Sequence, residues 1–245
     1  MTELKSYAVW DKGTRWFHWI NALCVIALAT VGFVILKADA LDVSNDGKAT
    51  LKTIHVWIGY VFVLNLVWRI VWAFLGNRYA RWRSILPGGT GYFKALRSYI
   101  SSFLAGNPEQ YVGHNPAARL GIAVLFLLTL IQAVTGLMLA GTDLFYPPFG
   151  RWIAQWVAAP GVTPATLAPY SPEMYDATAY KEMRAFREPI VLVHLYSFYA
   201  LAVFIVVHVA AVVVTEVKEG GSITSAMFTG RKILRERPVD EIHRQ

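Results

Sequence analysis

The sequence predicts an all-α membrane protein, a bundle of four transmembrane helices, and three observations predict it. Hydrophobic residues make up 56% of its 245 positions and charged residues 16%, far from the balance of a soluble domain. Four mainly apolar stretches, about 15–36, 54–75, 117–140 and 189–214, each exceed the roughly 18 residues that cross a hydrocarbon core. The intervening loops differ in charge bias as the loops of a multi-pass protein do.

The first span follows a charged, aromatic leader, YAVWDKGTRW, with no small-residue cleavage site, so it is expected to be a retained helix rather than a secretory signal. Cys24, the only cysteine, sits mid-span as core filler and forms no internal disulfide. Loop 37–53 balances three lysines with three aspartates and reads as periplasmic. Loop 76–116 sets Arg78, Arg81, Arg83, Lys94 and Arg97 against Glu109 alone and reads as cytoplasmic. Loop 141–188 holds four basic and five acidic residues and reads as periplasmic; Trp152 and Trp156 within it suggest a surface helix or a partner-docking face. The tail, 215–245, carries the basic cluster GRKILRER. Both termini are then cytoplasmic, and residues 1–245 read as a single domain. Tryptophans near the span ends suit aromatic belts. The excess of seven positive charges needs no nucleic-acid partner, because lysine and arginine collect where a membrane protein places them.

Four histidines lie within or beside the spans: His18, His55, His194 and His208. Fourteen residues are nearly four helical turns, so His194 and His208 share one face of the fourth span, about 21 Å apart along it. An ionisable group at that depth is costly and implies function. With alternating helix directions, His55 is level with His194 on the outer side and His18 with His208 on the inner side. Two level imidazole pairs are what two six-coordinate haems require. No Cys-x-x-Cys-His motif exists, so these are b-type haems, held by coordination and packing. Gly32, Gly59, Gly121 and Gly136 would admit a macrocycle close to the backbone or serve helix packing. Arg69 stands fourteen residues after His55 near the inner level, where a haem propionate or quinone would be its counter-ion. Arg15, Arg119 and Arg187, at span ends, are weaker candidates for the same task.

The stretches TRWFHWINALCVIALATVGF, HVWIGYVFVLNLVWRIVWAFLGNRYARW, GHNPAARL and ITSAMFTGRK resemble the b-type cytochrome subunit of membrane-bound nickel–iron hydrogenases, a branch of the bacterial di-haem cytochrome b561 superfamily. The resemblance spans nearly the whole chain. It implies an electron-transfer subunit of a bacterial inner membrane, working between a periplasmic hydrogenase and quinone, with His18, His55, His194 and His208 as axial haem ligands. A quinone site is then expected beside the inner haem at Gly113, His114 and Asn115. There His114 would relay protons by titrating near neutral pH and Asn115 would bond a quinone carbonyl. The bland reading is that Asn115 caps the third span. Two other functions stay open: a stand-alone cytochrome b561 oxidoreductase exchanging electrons between quinone and a small periplasmic molecule, and a non-redox membrane transporter. The scarcity of carboxylates in the spans disfavours the transporter.

Overall fold

The computed structural model describes residues 4–219 and 222–241. Four long helices carry the chain: α1 (Lys12–Leu36), α2 (Asn45–Leu75), α5 (Pro116–Leu144) and α7 (Ala177–Glu219). Each is long and apolar enough to cross a membrane. Shorter elements lie between and after them: α3 (Trp82–Ile85), α4 (Tyr92–Leu104), α6 (Gly150–Val157), α8 (Ile223–Thr229), and strands β1 (Lys5–Ala8) and β2 (Arg231–Leu234).

The helices outrun the apolar stretches because polar and charged turns extend them. Asp11 caps α1, its Oδ1 accepting from the Thr14 N–H at 2.8 Å. Asn115 caps α5 in the same way through Ala118, at 2.7 Å. Asp176 caps α7, accepting from Ala179 at 2.8 Å, and the helix then continues through Pro189. The segment KEMRAFRE is too charged to count as a span, yet it is helical.

The chain divides into two compact units. One comprises residues 1–19, 66–127 and 201–245. Here the structure departs from an all-α expectation: β1 and β2 pair antiparallel, Lys5 opposite Leu234 and Ala8 opposite Arg231. Four-residue strands in a polar tail leave little sequence signal. Val9, Val112, Ala226 and Leu234 form the core beneath them, packed by Tyr7, Trp10 and Tyr79. The tail is thereby folded: Gln110 accepts from the Arg235 and Glu236 N–H groups at 3.0 Å, and Lys232 donates to the Tyr111 carbonyl at 2.6 Å. His243 lies outside the described residues.

The other unit comprises residues 20–65 and 128–200. The long loop within it is ordered around Ile153, Val157, Tyr175 and Met183, with Phe145, Phe149 and Tyr180 packed against them. Helix α6 turns Ile153, Ala154 and Val157 inward and leaves Trp152 and Trp156 exposed. Tyr60 donates to the Pro147 carbonyl at 2.6 Å, fastening the loop to α2.

Candidate functional site

In the second unit, α2 brings His55 and α7 brings His194 together, their ring centroids 6.5 Å apart and planes at 73°. A metal–imidazole bond is about 2 Å, so two rings sharing one ion have centroids about 6 Å apart; the observed spacing fits. His194 is oriented by α5. Thr135 donates its hydroxyl to the Ile131 carbonyl at 2.6 Å, so its oxygen is free to accept, and it lies 2.8 Å from His194 Nδ1. That arrangement assigns the proton to Nδ1 and leaves the Nε2 lone pair for a metal. Gln132 donates to the His194 carbonyl and to Ser197 Oγ, both at 2.7 Å, tying the same turn of α7 to α5.

The glycines have divided roles. A Cβ on Gly32 would lie 3.2 Å from His55 Cε1 and one on Gly136 would lie 3.5 Å from His194 Cε1. A larger residue at Gly32 would push on the ring. Among the described residues, nothing beyond the chain neighbours and the helix's own backbone comes within 4 Å of a Cβ built on Gly59 or Gly121, so both could accept a close-packed flat group. Nδ1 of His55 is buried without a hydrogen-bond partner among the described residues. In the same unit Asp143 is salt-bridged to Lys52 at 2.8 Å and to Arg187, which engages the Arg187 guanidinium.

In the first unit, His18 on α1 and His208 on α7 are close enough to interact electrostatically. His18 Nδ1 and Arg69 Nη1 are likewise buried without a partner among the described residues. Arg69 is 4% exposed, its guanidinium held over Phe17 and Phe126 at 5.7 and 5.5 Å, while its Nη2 donates to the Ala80 carbonyl at 3.0 Å. A buried guanidinium with a donor that has no partner among the described residues, over the ring of Phe17 next to His18 in the chain, is a place for a carboxylate. Arg119 is spent on the Leu86 carbonyl, at 2.8 Å from its Nε, and Arg15 donates to the Phe228 carbonyl.

The Gly113–Asn115 segment carries structural duties that its sequence conceals. Gly113 donates to Asp240 at 2.9 Å, and a Cβ there would meet Tyr79 at 2.8 Å, so glycine is required for packing. Asn115, besides capping α5, donates to the Tyr99 hydroxyl at 2.8 Å. His114 packs against Trp10, ring centroids 4.5 Å apart and planes tilted by 38°. Burial, with Arg69, Lys232, His208 and Arg119 around it, pushes its pKa down to about 3. It is therefore neutral at physiological pH, where the sequence predicted titration near neutrality. A cleft of about 290 Å³, lined in part by Tyr92, Tyr111, His114 and Arg119, reaches this segment.

Sequence reasoning missed Thr135, Gln132 and Ser197. The available signal was three polar side chains inside otherwise apolar spans.

Residues 9–230 match the family described as prokaryotic cytochrome b561. The chain is 28% identical to a probable Ni/Fe-hydrogenase B-type cytochrome subunit of Rhizobium leguminosarum bv. viciae, covering 96% of this chain and 92% of the relative. It is 25% identical to a protein of the same description from Cupriavidus necator, with 95% and 89% covered. To a probable Ni/Fe-hydrogenase 1 B-type cytochrome subunit of Escherichia coli K12 it is 32% identical, with 62% and 68% covered.

Proposed function

This chain belongs to the prokaryotic cytochrome b561 family, and from that premise we propose that it is the di-haem electron-transfer subunit of a membrane-bound hydrogenase, passing electrons from a periplasmic nickel–iron enzyme to the quinone pool of a bacterial inner membrane. Membership makes it a b-type cytochrome of electron transport, multi-pass in the membrane. The names of its relatives support the hydrogenase partner. The observation that carries the reading is the pair of imidazoles His55 and His194, spaced for one shared metal, together with a second pair, His18 and His208, in the other unit.

His55 and His194 would hold one haem and His18 and His208 the other. When bound, haem iron supplies a reversible one-electron change. The chain's own residues do the rest. Thr135 fixes the tautomer of His194, and Gly59 and Gly121 give space beside the helices for a flat group. Arg69 would offer a propionate its Nη1, which has no partner among the described residues. We assign quinone exchange to the neighbourhood of His18 and His208, at Gly113, His114 and Asn115; the cleft lined in part by His114 supports this, with the ring acting as a neutral hydrogen-bonding partner. The whole chain, 1–245, acts as one cytochrome b domain with both termini cytoplasmic, and the ordered loop around α6 faces the hydrogenase. Co-expression with a periplasmic nickel–iron hydrogenase tests this. Membranes should show about two haems b per chain and hydrogen-driven reduction of both haems and quinone. Retention of quinone-linked haem reduction without any co-purifying periplasmic protein would point to a stand-alone oxidoreductase instead.

A further inference from the structure

Helix α4 has three distinct faces: one packs on the rest of its unit, one is apolar and exposed, and one is polar, with Ser98 bonded to Glu109 at 2.6 Å. Taking Tyr92 as zero at about 100° per residue, Tyr92, Leu96, Tyr99 and Phe103 form a stripe facing the rest of the unit, and Tyr92 and Tyr99 are buried. Phe93, Ile100 and Leu104 cluster about 100° away and are 82%, 46% and 77% exposed. Lys94, Arg97, Ser98 and Ser101 occupy the side beyond and line a shallow groove.

The contacts of the buried stripe fix how α4 lies. At one end Tyr92 donates to the Pro116 carbonyl at 2.9 Å and is covered by Arg119 at 5.3 Å, which is the start of α5. Near the other end Lys218 donates to the Phe103 carbonyl at 3.2 Å and stands over the Phe103 ring, which is the end of α7. Pro116 and Lys218 lie in the boundary turns of two membrane-crossing helices, and the eleven steps from Tyr92 to Phe103 reach about 16 Å. A helix linking two span ends in this way runs along the membrane boundary.

We propose that α4 is an interfacial helix that binds anionic phospholipid: Phe93, Ile100 and Leu104 enter the edge of the hydrocarbon, while Lys94 and Arg97, with the hydroxyl of Ser101, take the headgroup phosphate; the Ser98 hydroxyl is engaged by Glu109 at 2.6 Å. The geometry satisfies all three environments at once. Protein lies at one side, acyl chain at the next and headgroup at the third, with Arg97 between the apolar stripe and the polar side, where its stem spans both. The lipid is anionic because residues 76–116 carry five cations against one carboxylate, a bias that attracts such headgroups. A protein partner would need no such match between the stripe and the span ends.

The test uses the full haem-loaded chain in nanodiscs. Nitroxide labels are introduced through Phe93→Cys, Ile100→Cys and Leu104→Cys, and through Lys94→Cys, Ser98→Cys and Ser101→Cys, all in a Cys24→Ser background. The first three should collide preferentially with oxygen and the second three with a water-soluble nickel chelate. Equal access of the chelate to both sets, or shielding of the first set only when a protein partner is added, would overturn the assignment. For the headgroup, native mass spectrometry should show phosphatidylglycerol retained several-fold over phosphatidylcholine, and the Lys94→Gln/Arg97→Gln variant should lose that preference. An unchanged preference in the double variant would remove the phosphate contact.

Discussion

The hydroxyl of Thr135 lies 2.8 Å from Nδ1 of His194 and is itself bound to the Ile131 carbonyl, so the imidazole must donate to it. An imidazole whose N–H is engaged is a stronger electron donor through its other nitrogen, which favours the oxidised metal. Thr135→Val removes the acceptor at almost constant volume and should raise the midpoint potential of one haem, whereas Thr135→Ser should keep it. Potentiometric titration of the visible bands measures both. A Val variant that titrates like the parent would show that the contact only packs.

The two imidazole pairs fall in different compact units, so their losses should be separable. His55→Ala or His194→Ala should remove one haem, and His18→Ala or His208→Ala the other, with pyridine haemochrome falling from about two per chain towards one. If a single substitution left both haems with unchanged spectra, that histidine would not be a ligand.

Arg69 gives a sharper test, because its guanidinium is buried and its Nη1 has no partner among the described residues. Leaving such a donor unsatisfied is costly, so a propionate bound there offsets a penalty the apoprotein bears. Arg69→Gln should speed loss of the His18–His208 haem roughly tenfold, the equivalent of about 1.4 kcal/mol, while making the haem-free protein no less stable. Haem transfer to an excess of apomyoglobin measures the first and thermal unfolding of the apoprotein the second. Unaltered haem loss would place the propionates elsewhere.

How far the sequence carried these conclusions depends on the kind of signal. The spans were legible because apolar length is a one-dimensional property, and the histidines stood out because imidazoles are rare in such segments. That His55 and His194 meet follows from matching depth on helices of opposite direction, which counting residues also supplies. Thr135 was not legible: a threonine in a span is ordinary until its partner across the helix pair is known. The GHN segment hides its contacts for the opposite reason. Its polar residues look free in sequence, yet Asp240, more than a hundred residues later, holds Gly113, and the surrounding cations and burial keep His114 neutral. Charge around a buried ring is set by tertiary contact and leaves no local trace.

Asp11 is where stability and pH should be most clearly linked. Its Oδ1 accepts from the Thr14 N–H at 2.8 Å and the Trp72 indole at 2.9 Å, and its Oδ2 from the Asn77 N–H at 3.1 Å, so one carboxylate caps α1 and ties it to the end of α2. Burial pushes its pKa up, but the bonds from Thr14, Asn77 and Trp72 outweigh that and hold it below 3.8. A carboxyl whose folded pKa is depressed adds stability above its unfolded value, and this is lost as pH falls through the folded value. Asp11→Ala should cost about 1–2 kcal/mol, the usual worth of a cap, lowering the unfolding midpoint in detergent by roughly 2–8 °C for a chain of this size. Asp11→Asn keeps an acceptor and should cost less. Its deficit against the parent should be constant from about pH 5 upward and shrink below about pH 4 as the parent's carboxylate protonates. Thermal scans of the three proteins between pH 3 and pH 8 measure this; a deficit that grew on acidification would mean that Asp11 acts through packing rather than charge.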